Sequence, residues 1–427
     1  MSVTIEQRPD IGSGVYDAAI FVLSESDTYT FNWRYKVTVR TDSSSGDIVA
    51  IQYVVPNGAD AGVFDLSKVY QSYVRSNPDY QSGSQANVVV NGNRARKFHL
   101  SFQSEFSSTA DAPVQTNTAV TTEHIVIPGS LLDYSDSYSD DPIQQFKTVN
   151  VNGYWLTMVG QRYNEQNFNV RTNDDGVLCY IQGNTDGLST ANYINWKYDN
   201  SATIFTAAST NAAPTADNII RYAQVFPAGL EAQTEVALGK PSVNGTWRYY
   251  DVYLSSDSGG LTKKSRTYRF HKVSDCVPYH SVRFMWANRL GGWDYLSTSG
   301  KITEKQSVER TEYRKIRGNY YTANGDTTAW EYSSRDRGLQ SAPRKHVTEF
   351  TAHTGPLTNT EALLLADMIR SNDVYVQLYQ PVAKTDFTFY PCVVLDTNFD
   401  VKTQRQDGLF EYAIRYRMSN EDAVRFA

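Results

Sequence analysis

Six histidines, three cysteines and 46 acidic residues are the side chains from which this sequence would have to assemble a catalytic or metal site. His99, His124, His271, His280, His346 and His353 show no metal-ligand spacing of the His-x-x-x-His type, and no Gly-x-Ser-x-Gly elbow presents a serine. His271 and His280 flank Cys276, which a thiol nucleophile or a ligand set would use. The plainer reading is a buried cysteine at a strand end with histidines near the surface. Cys179, Cys276 and Cys392 are far apart and outside any Cys-x-x-Cys pair, so neither a disulfide framework nor a zinc site is expected, as suits folding in a reducing cytoplasm. Glycoside hydrolysis needs only two carboxylates at a suitable separation, and so many acids single out no pair. Asp133, Asp136, Asp140 and Asp141 make an oxygen-rich segment closed by Pro142. Calcium would suit it, but the central Gly and terminal Glu of an EF-hand are missing, and a solvated linker or subunit-facing loop reads the same residues. Trp155, Trp196 and Trp247 would stack on sugars if exposed, and fill a core or an interface if not. No Walker lysine or dinucleotide glycine spacing occurs. The chain is therefore expected to have no catalytic residue, no cofactor and no metal.

What would position such residues is a β framework. The sequence has 427 residues, 40% of them hydrophobic and 13% aromatic, with 30 Tyr. A chain poor in aliphatics and rich in Tyr, Thr, Val and Ser suits pleated, half-exposed sheets, and its length exceeds what one core usually serves. A net charge of −6 argues against broad contact with nucleic acid. The basic runs Arg310, Arg314, Lys315, Arg317 and Arg335, Arg337, Arg344, Lys345 are interrupted by Glu309, Glu312 and Asp336, which reads as solvated strand faces or subunit contacts. The first ten residues have neither a basic nor an apolar signal region, and no apolar run approaches the roughly 20 residues of a membrane helix.

Three units are expected. Residues 1–140 form a β-sandwich-like domain. In it 31–39 alternates, with Phe31, Trp33, Tyr35, Val37 and Val39 on one face, and Asp65 caps a short helix presenting Leu66, Val69, Tyr70 and Tyr73. Residues 141–274 form a β-rich middle domain with long polar loops. Residues 275–427 form an antiparallel sheet with one packed helix, 359–370, opened by a capping box of Thr358 and Glu361 and showing Ala362, Leu363, Leu365, Ala366 and Ile369 on its apolar face. The polar segments 80–93, 107–122 and 199–217 read as arms that order against neighbouring subunits.

The most informative stretch is 282–295. Its alternating strand meets a second aromatic segment through Asn288, Arg289, Leu290, Gly291 and Gly292, where the glycines supply the positive φ of a hairpin turn. Trp286, Trp293 and Tyr295 would anchor it.

With its Asn-Arg-Leu-Gly-Gly-Trp-Asp-Tyr centre, 281–301 resembles an aromatic hairpin in virion proteins of tailed bacteriophages infecting Bacteroidota, including crAss-like phages. The C-terminal stretches 350–357, 374–376, 390–394 and 410–412 are similar to the end of the same proteins, and the N-terminal meander with its short helix is similar less specifically. The resemblance implies a non-enzymatic tail or neck component, as ring, adaptor or fibre attachment. It would sit in the virion in several copies, contacting itself and other tail or neck proteins. A receptor- or carbohydrate-binding virion protein that reads host glycans, or a tail-associated glycan hydrolase, are the alternatives.

Overall fold

The computed structural model describes residues 3–9, 12–26, 29, 31–74, 88–90, 96–130, 153–160, 166–172, 174–181, 193–200, 202–208, 220–232, 247–257, 260, 262–273, 282–317, 319–323, 327–331, 334–335, 338–378, 389–396 and 411–419. The fold is mainly β, built from several antiparallel sheets with a helix near the C-terminus. The segment containing Asp133, Asp136, Asp140 and Asp141, together with Cys276 and His280, lies outside the described residues.

The N-terminal unit is a sandwich. Thr4–Gln7, Ile20–Ser24 and Gly62–Asp65 make one sheet; Gly12–Gly14, Val120–Ile127, Arg96–Ser107, Phe31–Thr41 and Ile48–Val54 make the other, with Gln115–Thr116 added on Arg96–Ser107. Period-2 alternation sends Tyr35, Val37, Val39, Phe98, Leu100 and Phe102 inward against Phe21, Leu23 and Phe64 of the facing sheet. Phe21 and Phe64 meet Phe102 across the layers, with ring centroids 5.4 and 6.2 Å apart. The alternation does not extend to Phe31, which is exposed, because Asn32 turns to φ 52° and the pairing register shifts between Phe31 and Arg34.

The short helix is Ser67–Gln71, with Leu66 rather than Asp65 at its N-cap. Asp65 still receives the Ser67 amide at 2.9 Å and the Ala19 amide at 3.3 Å, tying the helix to the small sheet. Leu66 and Tyr70 are buried, while Tyr73 is exposed. Tyr70 stacks on His124, whose ring is wholly buried and shares a 3.0 Å hydrogen bond with Ser13. Burial, helped by Arg8, pushes that imidazole down to about 3, so it is neutral.

The rest of the chain holds three larger sheets and a separate hairpin. Five strands run in the order Asn167–Val170, Tyr268–Lys272, Tyr249–Ser255, Tyr193–Tyr198, Phe205–Ala208. Three run Val177–Ile181, Ile220–Gln224, Val88–Val90, so a strand from within the first 140 residues completes a sheet of the second body. Seven run Trp293–Ser297, Val282–Ala287, Val374–Leu378, Tyr390–Val394, Ala413–Met418, Leu339–His353, Ile302–Arg314. One buried cluster reaches from Ile127 to Tyr416, so residues on both sides of position 274 share a core. The polar segments read as arms carry pairing of their own: Gln115–Thr116 pairs with Arg96–Ser107, Phe205–Ala208 with Tyr193–Tyr198, and Val88–Val90 with Ile220–Gln224.

The Asn359–Arg370 helix starts from its capping box, the Thr358 hydroxyl accepting the Glu361 amide while the Glu361 carboxylate accepts the Thr358 amide at 2.8 Å. Its buried side is Ala362, Leu364, Leu365 and Met368, with Leu363, Ala366 and Ile369 only half-buried. The face is turned from the one expected because Asp367 points to the sheet, accepting the Trp286 indole N–H at 3.1 Å.

Trp286 and Trp293 are both fully buried on the paired strands Val282–Ala287 and Trp293–Ser297. In the turn between them Gly291 takes φ 82°, but Gly292 does not lie in the left-handed region. Gly292 is needed for room instead: a Cβ there would sit 1.9 Å from the Leu156 carbonyl oxygen, and one at Gly291 would sit 1.7 Å from that of Pro128. Gly291→Ala and Gly292→Val are therefore each expected to lose more than about 3 kcal/mol of unfolding free energy, or to prevent folding. Gly58→Ala, with nothing near its Cβ, should stay within about 0.5 kcal/mol in the same urea titration. Wild-type stability in either turn variant would show that the two backbones do not pack this closely.

Candidate assembly interface

Two surfaces lie where, among the described residues, a strand has a neighbour on one side alone. The first is a ribbon. Ile302–Arg314 pairs with Leu339–His353 along its whole length, yet the second strand joins the seven-stranded sheet only through Phe350–His353. From Lys305 to Arg314 the two strands leave the sheet as an arm about 30 Å long. Every residue of 303–314 is exposed. Val308, Tyr313, Ile316 and Leu339 show apolar surface to solvent. Lys305 stands opposite Glu349 and Glu309 opposite Lys345, and the Tyr313 hydroxyl donates to Gln340 at 2.7 Å. Such cross-strand pairs contribute well under 1 kcal/mol each. An isolated two-stranded ribbon in water is marginal at best.

The second surface is the strand Ile48–Val54, which lies at the open end of the six-stranded sheet. It is apolar, and Tyr53 lies beneath the Arg34 guanidinium at 4.3 Å. Arg34 and Lys36 are in turn held by Glu105 at 2.7 and 3.2 Å.

The basic run Arg310, Arg314, Lys315 and Arg317 lies on the arm and beyond its end. Residues 302–353 carry nine Lys and Arg against seven Asp and Glu, a net +2, which leaves −8 for the remainder of a chain of net −6. The sequence marked Arg310, Arg314, Lys315 and Arg317 as solvated strand faces or subunit contacts and Asn288 as part of the hairpin turn, but neither the length of the arm nor the four hydrogen bonds of Asn288. The signal for the arm was there: 303–314 has no apolar period at all, only the mark of a strand solvated on both faces.

The anchor residues gather elsewhere, around a buried polar knot. Asn288 closes the turn: its side-chain oxygen accepts the Leu290 and Gly292 amides at 3.0 and 2.9 Å, and its amide nitrogen donates to the Leu156 carbonyl and to Asp294, both at 3.0 Å. Asp294 also accepts the Thr157 hydroxyl and the Met158 amide. Glu361, beyond its capping role, accepts the Asn169 side chain at 2.9 Å. Further along the hairpin the Arg283 guanidinium lies between the Phe226 and Tyr295 rings, at 4.6 and 4.7 Å. It pairs with the buried Asp174 at 3.0 Å and donates to the Asp175 carbonyl at 2.9 Å. Asp294 is buried and taken up by these contacts, and Arg283 and Asp174 pair with one another within the core. Among the described residues no cluster of His, Cys, Asp and Glu could hold a metal ion. Trp155, Trp196 and Trp247 are core residues, not sugar platforms. Cys179 and Cys392 are buried free thiols, and no described helix is long and apolar enough to cross a membrane.

No protein-family model matches the chain, and no curated protein sequence is similar to it. Among solved structures, a marsupial T cell receptor aligns with 82% of this chain and 96% of its own length at 9% identity and a TM-score of 0.17. A superposition that loose carries no argument about fold or function.

Burial pushes the Asp294 carboxyl up to about 7, aided by the charge of Asp367 and opposed by the hydrogen bonds from Thr157, Met158 and Asn288. The folded chain then holds this proton more tightly than the unfolded one. Its contribution is complete below the ordinary carboxylate value and lost as pH rises through about 7. The Asp294 contribution falls by roughly 1 kcal/mol per pH unit between about 4 and 7, and His124, whose imidazole is pushed down, opposes it over most of this range, so the expected readout is a stability difference between wild type and Asp294→Asn that falls by that amount as pH rises. A difference that stays constant across this window would mean that Asp294 titrates normally. For the Arg283–Asp174 pair, Arg283→Met is expected to cost about 3–5 kcal/mol, because it strands a buried carboxylate. The double change with Asp174→Asn should cost less than the sum of the two single changes by urea denaturation; strict additivity would mean the pair is not coupled.

Proposed function

We propose that the chain is a non-catalytic structural subunit of a phage virion, a tail or neck component that works by contact with further copies and with neighbouring proteins. The observation that carries this reading is the arm. A ribbon of this length with no core of its own is a poor ornament for a protein that acts alone, and a natural device for one that is completed by a neighbour. The likeness of 281–301 and the C-terminal stretches to phage virion proteins directs the reading to the tail or neck. The turn 288–292 at the heart of that likeness also joins the two cores. A glycan-binding role would have to use aromatics other than Trp155, Trp196 and Trp247, which are enclosed. For a hydrolase, the acids most displaced from their ordinary behaviour, Asp294 and Asp367, are taken up by the turn and the helix.

Antibodies raised against the purified chain should label the tail or neck of phage particles in electron micrographs, and the purified chain should show no turnover of polysaccharide. Particles that never carry the label, or polysaccharide cleavage lost on mutating one acidic pair, would remove this reading.

A further inference from the structure

We propose that the arm of one copy adds as an extra strand to the open edge of Ile48–Val54 on the next copy. This rests on the reading of the chain as a self-assembling subunit and specifies how its copies join.

Exposed sheet edges are normally blunted by a charge, a proline or a bulge, because their unpaired amides and carbonyls pair with any extended chain. The Ile48–Val54 strand, Ile-Val-Ala-Ile-Gln-Tyr-Val, carries neither a charge nor a proline, and its bulge is confined to its start, where Val39 and Arg40 pair with Ala50 and Ile48, leaving Ala50 to Val54 in regular register. Its exposed apolar residues are Ile48 at 52%, Ile51 at 46% and Tyr53 at 46% exposure, with Val55 just beyond its end. Among the described residues it pairs with Phe31–Thr41 alone, on its inner side. The arm offers the matching half: among the described residues Ile302–Arg314 pairs on one side alone, is long enough to cover seven residues, and displays Val308 and Tyr313. Backbone pairing would supply affinity; Val308 and Tyr313, an odd number of residues apart, point to opposite faces of the arm, so one of them would lie on the face of Ile51 and Tyr53 and the other on the opposite face.

Charge decides between an arm and another kind of occupant. The edge strand is uncharged but has Asp42 and Asp47 before it and Asp60 after it, while the arm and its end bring Lys305, Arg310, Arg314 and Lys315. With net +2 on 302–353 and −8 on the remainder, an arm is attracted to the body of another copy and repelled by another arm. Arm on edge is a head-to-tail contact, since the two surfaces differ. It propagates as a ring or a row rather than stopping at a two-fold dimer.

The test is a mixing experiment on full chains, read by sedimentation equilibrium. One variant blocks the edge with Ile51→Lys and Tyr53→Lys; the other shortens the arm by replacing 305–349 with Asn-Gly. Wild type is expected to form multimers, and each variant alone to associate at least about tenfold more weakly. Mixed in equal amounts, the two should form one-to-one heterodimers, because a single arm and a single edge remain compatible. Circular dichroism and melting establish that each variant is folded; if the shortened chain is not, Val308→Lys with Tyr313→Lys takes its place. Multimers that survive either block, or a mixture without heterodimers, would overturn the arm-on-edge contact while leaving self-assembly intact. Loss of assembly on blocking the edge but not on shortening the arm would point to edge-to-edge pairing instead. A wild-type chain that is monomeric at every concentration would overturn self-assembly as well.

Discussion

The tightest constraint in this molecule is a contact between backbones. Where residues 128–130 leave the N-terminal sandwich they run against the turn 288–292 so closely that neither side has room for a Cβ. Gly291 packs on the Pro128 carbonyl, Gly129 on the Gly291 amide, and Gly292 on the Leu156 carbonyl. Polar groups trapped in such a place need partners, and they have them. Ser130 donates its amide to Arg289 and its hydroxyl to Asp17, Gly129 accepts the Tyr16 amide, and Asn288 satisfies four groups with one side chain. These close backbone contacts and hydrogen bonds join the two cores, alongside the pairing of Val88–Val90 with Ile220–Gln224.

That arrangement explains why the hairpin mattered in the sequence and why the reason first given for it was incomplete. A Gly-Gly pair between aromatic strands signals a turn, and Gly291 does adopt the conformation that only glycine takes freely. What Gly292 does depends on Leu156, more than a hundred residues earlier, and no local pattern could report it. The same division holds elsewhere. The capping box at Thr358 and Glu361 is local chemistry, legible to the residue, whereas the rotation of that helix was set by Asp367 reaching Trp286 on a different element. Alternation in 31–39 located a strand, but the bulge at Asn32, which exposes Phe31, lies in the pairing with Arg96–Ser107. Period and propensity identify elements; contacts at long range decide their faces.

Buried charge shows the same dependence on distance. Arg283 and Asp174 are separated by more than a hundred residues, and each would be intolerable in the core without the other. Asp294 has no cation beside it and is accommodated as an acid that keeps its proton, with Thr157, Met158 and Asn288 arranged about it. Both groups sit on the hairpin strands, so one element carries the turn that joins the cores and the polar groups that fix its register. Register in a buried strand is otherwise set only by which side chains are apolar, and Val282–Ala287 is buried on both faces, leaving that signal weak. The ion pair and the protonated carboxyl supply the discrimination that apolar packing cannot.

The arm and the edge are the reverse case, backbone that, among the described residues, has a partner on one side alone. The outer side of an apolar, uncharged edge strand such as Ile48–Val54 pairs readily with any extended chain. Two explanations compete for the arm. If it were merely solvated, its length would be a liability, since each exposed strand costs conformational entropy without burying apolar surface. If it is a docking element, its pattern follows: charges alternate to keep the free chain soluble, and Val308, Tyr313, Ile316 and Leu339 are spaced along it rather than gathered into a patch that would collapse on its own surface. The second explanation accounts for the composition of the ribbon and for the bareness of Ile48–Val54 at once. The first leaves both as accidents.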